Sequence, residues 1–236
     1  MEGNKTWLRG GRFWALVAGA LALRYLCHAV MLLPVLAHEA VPAPTLRDLV
    51  LLHVPYMPMV ARWNYVIWLL CYLPPALWVG YRDRMLFLRL VLTDGVLALA
   101  RGVMVPLTGL GPVRGTDLNA LHPFNLEATW LAVLNPIRAI AGNSAGIYLT
   151  KDLFFSGHIA TTFLLYLFAR RLGRVRWLFL ALNLLTLAVV LLAHMHYTID
   201  IISAYAITFC IYRAGESLVE RQYRRAAAFA DSLRSR

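Results

Sequence analysis

Charge is scarce in this sequence, and acidic charge is scarcest. Of 236 residues only 15% are charged, with 12 acidic against 23 basic side chains, whereas 60% are apolar. A water-soluble domain averages about 25% charged and about 45–50% apolar residues. The shortage of charge therefore excludes a soluble globular protein. It predicts an all-α integral membrane protein.

Cysteine is also rare, and no segment is long and polar enough to form a soluble domain. The three cysteines, Cys27, Cys71 and Cys210, lie inside apolar runs. Their number and spacing exclude a disulfide framework and give no zinc-binding motif. The basic residues lie in short segments between apolar runs rather than on one soluble face, so the net charge of +11 does not predict a nucleic-acid partner.

The apolar runs predict one membrane domain covering residues 1–236, with six spanning helices of about 20 residues each. The predicted spans are residues 13–36, 60–81, 85–107, 153–171, 175–193 and 198–212. Short tails, residues 1–12 and 214–236, are predicted to be cytosolic. Residues 126–142, in the long third loop, are predicted to form an amphipathic helix on the membrane surface or over the site.

The distribution of basic residues predicts the orientation. With the N-terminus inside, 15 basic residues fall in inner segments and five in outer loops. Because basic residues concentrate on the cytoplasmic side of membrane proteins, both termini are predicted to be cytosolic and loop 108–152 extracytoplasmic. His158 and His196 are then both near the outer surface of the membrane.

Two histidines and a carboxylate stand in otherwise apolar sequence. His196 and Asp200 are spaced i, i+4, which places both on one face of a helix. An aspartate beside one imidazole nitrogen fixes the tautomer and leaves the other nitrogen free to attack phosphorus. His158 is predicted to face this pair and to transfer a proton to the leaving oxygen. We interpret the three as a membrane-embedded phosphotransfer site.

Further residues are predicted to bind the substrate. Ser156 and Gly157 precede His158, and glycine lets the backbone approach a bound anion closely. Arg101 lies at a similar depth and is predicted to clamp a phosphate, with an ion pair to a neighbouring carboxylate as the alternative. Asp152 and Tyr197 are added as contacts of the headgroup; the alternatives are a helix-start carboxylate and a packing residue.

Two other interpretations concern metals and buried charge. His194 and His196 with Asp200 are a possible metal site, but no further carboxylate or cysteine cluster supports one, so no metal or cofactor is predicted. Arg24 and Asp94 both fall near the middle of predicted spans. Since an unpaired charge there costs at least about 2.5–3.5 kcal/mol, they are predicted to pair with each other.

The same residues carry a family resemblance. Residues 152–158 (DLFFSGH) and 194–200 (HMHYTID) resemble two signature segments of the sphingomyelin synthase family, part of the type 2 phosphatidic acid phosphatase-like group. The catalytic segments are taken as 152–166 and 194–205. Weaker similarity extends to residues 44–48 and to Arg101 and Gly102.

The resemblance implies a function for these segments. It implies six spans, an outward-facing site without a metal, and transfer of phosphocholine or phosphoethanolamine from a glycerophospholipid to ceramide, releasing diacylglycerol. By position His196 is the nucleophile that forms a phosphohistidine, Asp200 orients it, and His158 handles the proton. Met195 stands where the family often has an acidic residue, so the donor headgroup is left open.

Several alternatives remain at this point. The acceptor is ceramide, diacylglycerol or a related lipid alcohol, or else water, which would make the protein a lipid phosphatase or phospholipase C. A lipid transporter or scramblase is the non-enzymatic alternative, although it would not need the spacing of His196 and Asp200. The predicted partners are membrane lipids and no nucleic acid, and a homo-oligomer is left open. A bacterial inner membrane is favoured over the Golgi, endoplasmic reticulum or plasma membrane.

Overall fold

A computed structural model describes residues 11–115, 117, 119, 125–135 and 149–234, with Arg12 and residues 226–234 described by backbone only. Helices dominate, and no strand occurs within these ranges. The helices are α1 (Gly11–Glu39), α2 (Pro58–Arg82), α3 (Arg84–Thr108), α4 (Leu126–Leu134), α5 (Gly157–Ala169), α6 (Arg176–Leu192) and α7 (Thr198–Arg234).

The helices confirm the coarse prediction of an α-helical membrane protein. Among the described residues, three segments are long and apolar enough to cross a bilayer: Phe13–Glu39, Arg84–Thr108, and Gly173–Leu192, which joins a one-turn 3-10 helix to α6. Helix α5 is apolar but shorter, at 13 residues. The count of six spans and their orientation stay predictions.

Two predicted boundaries differ from the structure. Helix α5 begins at Gly157, although its span was predicted from residue 153, because the Ser156 side chain caps it there. Helix α7 does not end near residue 212 but runs through Arg234, because the polar continuation contains no proline and the helix passes through its one glycine, Gly215. The predicted C-terminal tail thus continues the last helix. Most of the other tail, residues 1–10, lies outside the described residues.

The predicted amphipathic helix is partly confirmed. Helix α4 begins after Asn125, whose side chain accepts a hydrogen bond from the Ala128 N–H at 2.9 Å. It packs on α1, where the Trp130 indole donates to the Ala29 carbonyl at 2.8 Å. The helix therefore lies beside α1, and the rest of the predicted segment, residues 136–142, falls outside the described residues.

Helix α5 is the centre of the packing. It contacts α2, α3, α6 and α7, and its Ile159, Ala160 and Leu164 side chains are fully buried. Polar bonds join the same helices: Asn183 of α6 donates to Thr162 Oγ1 of α5 at 2.9 Å, and the Tyr205 hydroxyl of α7 donates to Asn183 Oδ1 at 2.9 Å. Since lipid tails are as apolar as leucine, such tight packing and interhelical hydrogen bonds hold a membrane bundle together.

A buried polar network ties the segment before α5 to the end of α1. The Glu39 carboxylate accepts from the Lys151 N–H at 2.5 Å, from Thr150 Oγ1 at 2.9 Å and from Asn119 Nδ2 at 2.7 Å. The ammonium of Lys151 is buried and pairs with Asp117 at 2.8 Å. Buried charges need such partners. The network therefore fixes where the chain enters α5.

A loop carboxylate caps the last helix. Asp48 Oδ2 accepts from the Thr198 N–H at 2.5 Å, and Oδ1 accepts from Thr198 Oγ1 at 2.9 Å. Burial alone would raise the pKa of Asp48, but these bonds and those from the Leu51 and Val50 N–H groups lower it below its ordinary value. An acceptor at a helix N-terminus satisfies N–H groups that have no partner within the helix. Asp48 thereby fixes the start of α7 beside His196.

Candidate active site

The His196 ring lies just before α7 with one nitrogen committed. Its Nδ1 lies 3.0 Å from the Leu153 carbonyl oxygen. Because a carbonyl can only accept, Nδ1 carries the proton in this bond and Nε2 keeps its lone pair. The residue is 3% exposed. Nε2 is therefore the ring nitrogen of His196 whose lone pair is available.

Asp200 stands behind His196, but not in the role expected from the spacing. Its Oδ2 lies 3.6 Å from His196 Nδ1, beyond hydrogen-bond distance. The same oxygen accepts from the Tyr197 N–H at 2.9 Å and so closes the first turn of α7. The tautomer of His196 is therefore set by Leu153, while Asp200 supplies negative charge beside the ring. The i, i+4 spacing correctly indicated that Asp200 lies near His196, but it could not indicate the Leu153 carbonyl.

His158 faces His196 from the first turn of α5. The two ring centroids are 6.3 Å apart, at an interplanar angle of 62°. The Nε2 atom of His158 is buried and has no hydrogen-bond partner among the described residues. A buried polar atom without a partner is uncommon and needs an explanation, such as a ligand. The structure thus brings together the two histidines that the sequence singled out.

An aromatic wall on α2 borders His158. The His158 and Trp68 rings meet edge to face at a centroid distance of 5.2 Å. Tyr72 stacks on Trp68 at 5.7 Å, and the indole donates to Thr161 Oγ1 at 2.9 Å. The bond to Thr161 fixes Trp68 and so limits how far His158 can turn. Sequence reasoning missed Trp68, because one aromatic residue in an apolar span carries no distinguishing signal.

Arg101 reaches from α3 to the segment before α5. Its Nη2 donates to Asp152 Oδ1 at 2.7 Å and its Nε donates to the Phe155 carbonyl at 2.9 Å. The structure therefore contains the ion pair that was the alternative to a phosphate clamp. Both side chains are about one-seventh exposed, at 13% and 15%. Phosphate binding by Arg101 stays a prediction.

Ser156 and Gly157 build the turn that presents His158. The Ser156 side chain caps α5, and its N–H donates to the Asp200 carbonyl at 3.2 Å. A Cβ atom on Gly157 would lie 2.6 Å from Arg101 Nη1. Glycine is therefore needed for close approach to the guanidinium. Direct contact of either residue with substrate stays a prediction.

Tyr197 points into the loops that precede α2 and follow α3. Its hydroxyl accepts from the Leu46 N–H at 3.0 Å and lies 3.1 Å from the Gly111 carbonyl. Burial raises the pKa of Tyr197, while the Leu46 N–H opposes that shift. The hydroxyl is thus already used in holding two loops over the start of α7. Its predicted contact with the headgroup is untested.

A second pair of charged residues lies between α1 and α3, deeper in the helix bundle than Arg101. The predicted pair is confirmed: Arg24 Nε lies 2.6 Å from Asp94 Oδ2. His28, one turn along α1, lies within electrostatic range of both Arg24 and Arg101. Polar groups therefore extend from the Asp152 pair into the interior of the bundle. His28 did not stand out in the sequence, because the sequence alone does not show that α1 packs beside α3.

The carboxylates and histidines do not form a metal-ligand cluster in the described part of the chain. His194, which had been considered as a ligand, instead makes a 2.9 Å hydrogen bond with the Val54 carbonyl. The described groups are two histidines, an arginine and nearby aspartates, which are side-chain types that enzymes use in phosphoryl transfer.

The fold and site define a class, an α-helical protein of membrane type with two facing histidines. One histidine lies in the first turn of α5, and the other lies just before the adjacent helix α7. Comparison with known proteins is consistent with that class. Residues 151–217 match the family model described as PAP2 superfamily C-terminal, which covers both histidines and Asp200. The chain is therefore similar to that family over residues 151–217, and about half of it is similar to the relatives described next.

The relatives are named for a lipid reaction. Human phosphatidylcholine:ceramide cholinephosphotransferase 1 is 36% identical over 124 residues, covering 48% of this chain and 29% of the relative. Human phosphatidylcholine:ceramide cholinephosphotransferase 2 is 36% identical over 123 residues, covering 48% and 33%. The chicken (Gallus gallus) form of the first is 32% identical over 118 residues, covering 46% and 28%. The match thus spans about a third of the length of these relatives.

Proposed function

We propose that the protein is a multi-pass membrane enzyme that transfers phosphocholine from phosphatidylcholine to ceramide and releases diacylglycerol. The observation that carries the proposal is the pair of facing rings, His158 and His196, each with an uncommitted Nε2 atom. The names of the relatives support the choice of donor and acceptor. Phosphoethanolamine is the second headgroup, because Met195 leaves no carboxylate at that position to select choline.

In the first step His196 Nε2 attacks the phosphorus of the donor. An N–P bond forms, the P–O bond to diacylglycerol breaks, and a protonated His158 gives its proton to the leaving oxygen. Reacting atoms approach to about 3–3.5 Å before bond formation. The 6.3 Å between ring centroids puts both rings within reach of one phosphoryl group bound beside them.

In the second step the acceptor replaces His196 on phosphorus. His158, now neutral, removes the proton from the ceramide hydroxyl. The oxygen then forms the new P–O bond as the N–P bond breaks, which returns both histidines to their starting states. Asp200 favours the cationic phosphohistidine, since its negative charge lies 3.6 Å from Nδ1. Arg101 is the candidate for holding the phosphoryl oxygens, with Asp152 orienting its guanidinium.

The proposal includes the predicted topology. The six spans would place both termini in the cytosol and both histidines near the outer leaflet, with a bacterial inner membrane favoured. Polar loops around Asp48 and Tyr197 then form the outer cover of the site. The exposed leucines of α1 and α6 suit contact with lipid; Leu26 is 58% exposed and Leu184 is 52% exposed.

The test uses purified protein with phosphatidylcholine labelled in its headgroup, with and without ceramide. We expect label in a ceramide product for the wild type and none for His196→Ala. For His158→Ala we expect a rate about 10²–10⁴-fold lower, the usual contribution of a general acid–base. His53→Ala is the matched control, because His53 is an exposed histidine of the outer loop.

Other products would identify the alternatives. Water-soluble phosphocholine as the sole labelled product would indicate a phospholipase C, and label in a second diacylglycerol would indicate headgroup exchange between glycerolipids. Turnover of His196→Ala at the wild-type rate would exclude the mechanism altogether. A parallel assay with phosphatidylethanolamine decides which headgroup is preferred.

A further inference from the structure

A basic cavity lies at the far end of α5 from the histidines. It has a volume of about 370 Å³ and no acidic residue in its lining. The lining residues are Arg170, Arg171, Arg176, Phe209, Tyr212 and Arg213. Helix α5 has 13 residues and a rise of about 1.5 Å per residue, so about 20 Å separates the cavity from the paired histidines. The cavity is therefore not part of the candidate active site.

Within the described part of the chain, three of the four arginines lining this cavity have no acidic partner. Arg171 pairs with Glu216, which also pairs with Arg89 of α3. Across the described residues no carboxylate lies within ion-pair distance of Arg170, Arg176 or Arg213. Glu216 thus anchors one side of the cavity, and the remaining guanidinium groups present uncompensated positive charge. An anion is the ligand that this charge would recognise.

Neighbouring aromatic residues mark the level of the membrane interface. Trp177 is 58% exposed, and the Arg176 guanidinium lies 4.9 Å from its ring centroid. Tryptophan favours the boundary between headgroups and hydrocarbon. Phe209, inside the cavity lining, is 45% exposed and offers an apolar surface beside the arginines. The cavity therefore combines positive charge with an apolar side at interface depth.

We propose that this cavity binds the headgroup phosphate of an anionic phospholipid in the leaflet opposite the paired histidines. The arginines would contact the phosphate oxygens, and Phe209 and Trp177 would lie along the glycerol and upper acyl chains. The proposal concerns a second lipid site and does not depend on the reaction catalysed at His196. Basic pockets between membrane helices bind such headgroups elsewhere by the same physics.

Competition between two lipids tests the proposal. The full chain in detergent is given equal amounts of phosphatidylglycerol and phosphatidylcholine, and bound lipid is counted by native mass spectrometry. We expect wild-type protein to retain phosphatidylglycerol preferentially. Arg176→Gln with Arg213→Gln should weaken that retention about 30-fold, and either single change about fivefold. The single variants keep the test valid if the double variant does not fold.

The matched control removes the same charge nearby. Arg174→Gln with Arg225→Gln changes two exposed arginines, one in the same loop, that do not line the cavity. We expect this variant to bind like the wild type. Equal loss in both double variants would reduce the effect to general surface charge and overturn the proposal, as would unchanged binding in Arg176→Gln with Arg213→Gln. Displacement of the lipid by an equal concentration of glycerol phosphate would indicate a site for soluble phosphate instead.

Discussion

At the scale of single residues, the site depends on how closely Arg101 approaches the start of α5. The guanidinium lies so near Gly157 that a Cβ atom there would be 2.6 Å from Nη1 and 2.7 Å from Cζ. The approach lets Arg101 bond to both Asp152 and the Phe155 carbonyl. Gly157 thus matters because of its missing side chain.

Gly157→Ala should displace the Arg101 guanidinium and weaken its two bonds. A hydrogen bond to a charged group contributes about 1.5–3 kcal/mol, so we expect transfer activity about 10- to 100-fold lower. Gly95→Ala is the matched control in α3, where an added Cβ would meet the nearest atom at an ordinary 3.6 Å. A double-mutant cycle with Arg101→Ala locates the effect, because Gly157→Ala should then cost nothing more. Additive losses would contradict this explanation.

The sequence identified the candidate site residues better than the groups that contact them. His158, His196 and Asp200 stood out because polar groups are costly in an apolar span. The Leu153 carbonyl that bonds His196 was not predictable, since every residue carries one and only the fold selects it. Trp68 was hidden for a similar reason among the other aromatic residues of its helix.

At the scale of elements, a loop residue determines where the last helix begins. Asp48 lies 150 residues from Thr198 in sequence and accepts from both its N–H and its hydroxyl. A cap within one segment can be read from sequence spacing, but a cap supplied by a distant loop cannot. The shortened start of α5, by contrast, follows from its own Ser156 cap.

The cap should make stability depend on pH. The pKa of Asp48 is lower when folded than when unfolded, so its stabilisation is complete above the unfolded value of about 3.9 and is lost as pH falls through the lower folded value. We expect Asp48→Asn to lower stability by about 0.3–1 kcal/mol at pH 7, the contribution of a negative charge at a helix N-terminus. The difference from wild type should shrink below about pH 4 in thermal unfolding followed in detergent.

Asp117→Asn is a poor control for that experiment because it would remove the partner of buried Lys151. Glu220→Gln is better, since its ion pair with Arg224 lies on an exposed face of α7. Exposed pairs within one helix contribute little, so its unfolding should match the wild type at both pH values. A difference between Asp48→Asn and wild type that stays constant from pH 7 to pH 3 would refute the role of the Asp48 charge.

At the scale of the whole molecule, the polar side chains form two groups at opposite ends of one helix bundle. The paired histidines and capping loops lie at one end, and the arginine cavity lies at the other, with the packed middle of α5 between them. Composition alone predicted the membrane class, because no soluble core can use so many apolar residues. The distribution of basic residues predicted the orientation, but the convergence of four arginines on a cavity required the arrangement of α5, α6 and α7.

The most direct test asks whether His196 carries the transferred group. Wild-type protein is mixed with phosphatidylcholine without acceptor, quenched in alkali, and digested with trypsin. His158 falls in residues 152–170 and His196 in residues 177–213, so the two histidines separate into different peptides. The account predicts that peptide 177–213 gains the mass of one phosphocholine group at His196, and that added ceramide removes it. Modification of peptide 152–170 instead, or turnover without any modified peptide, would contradict it.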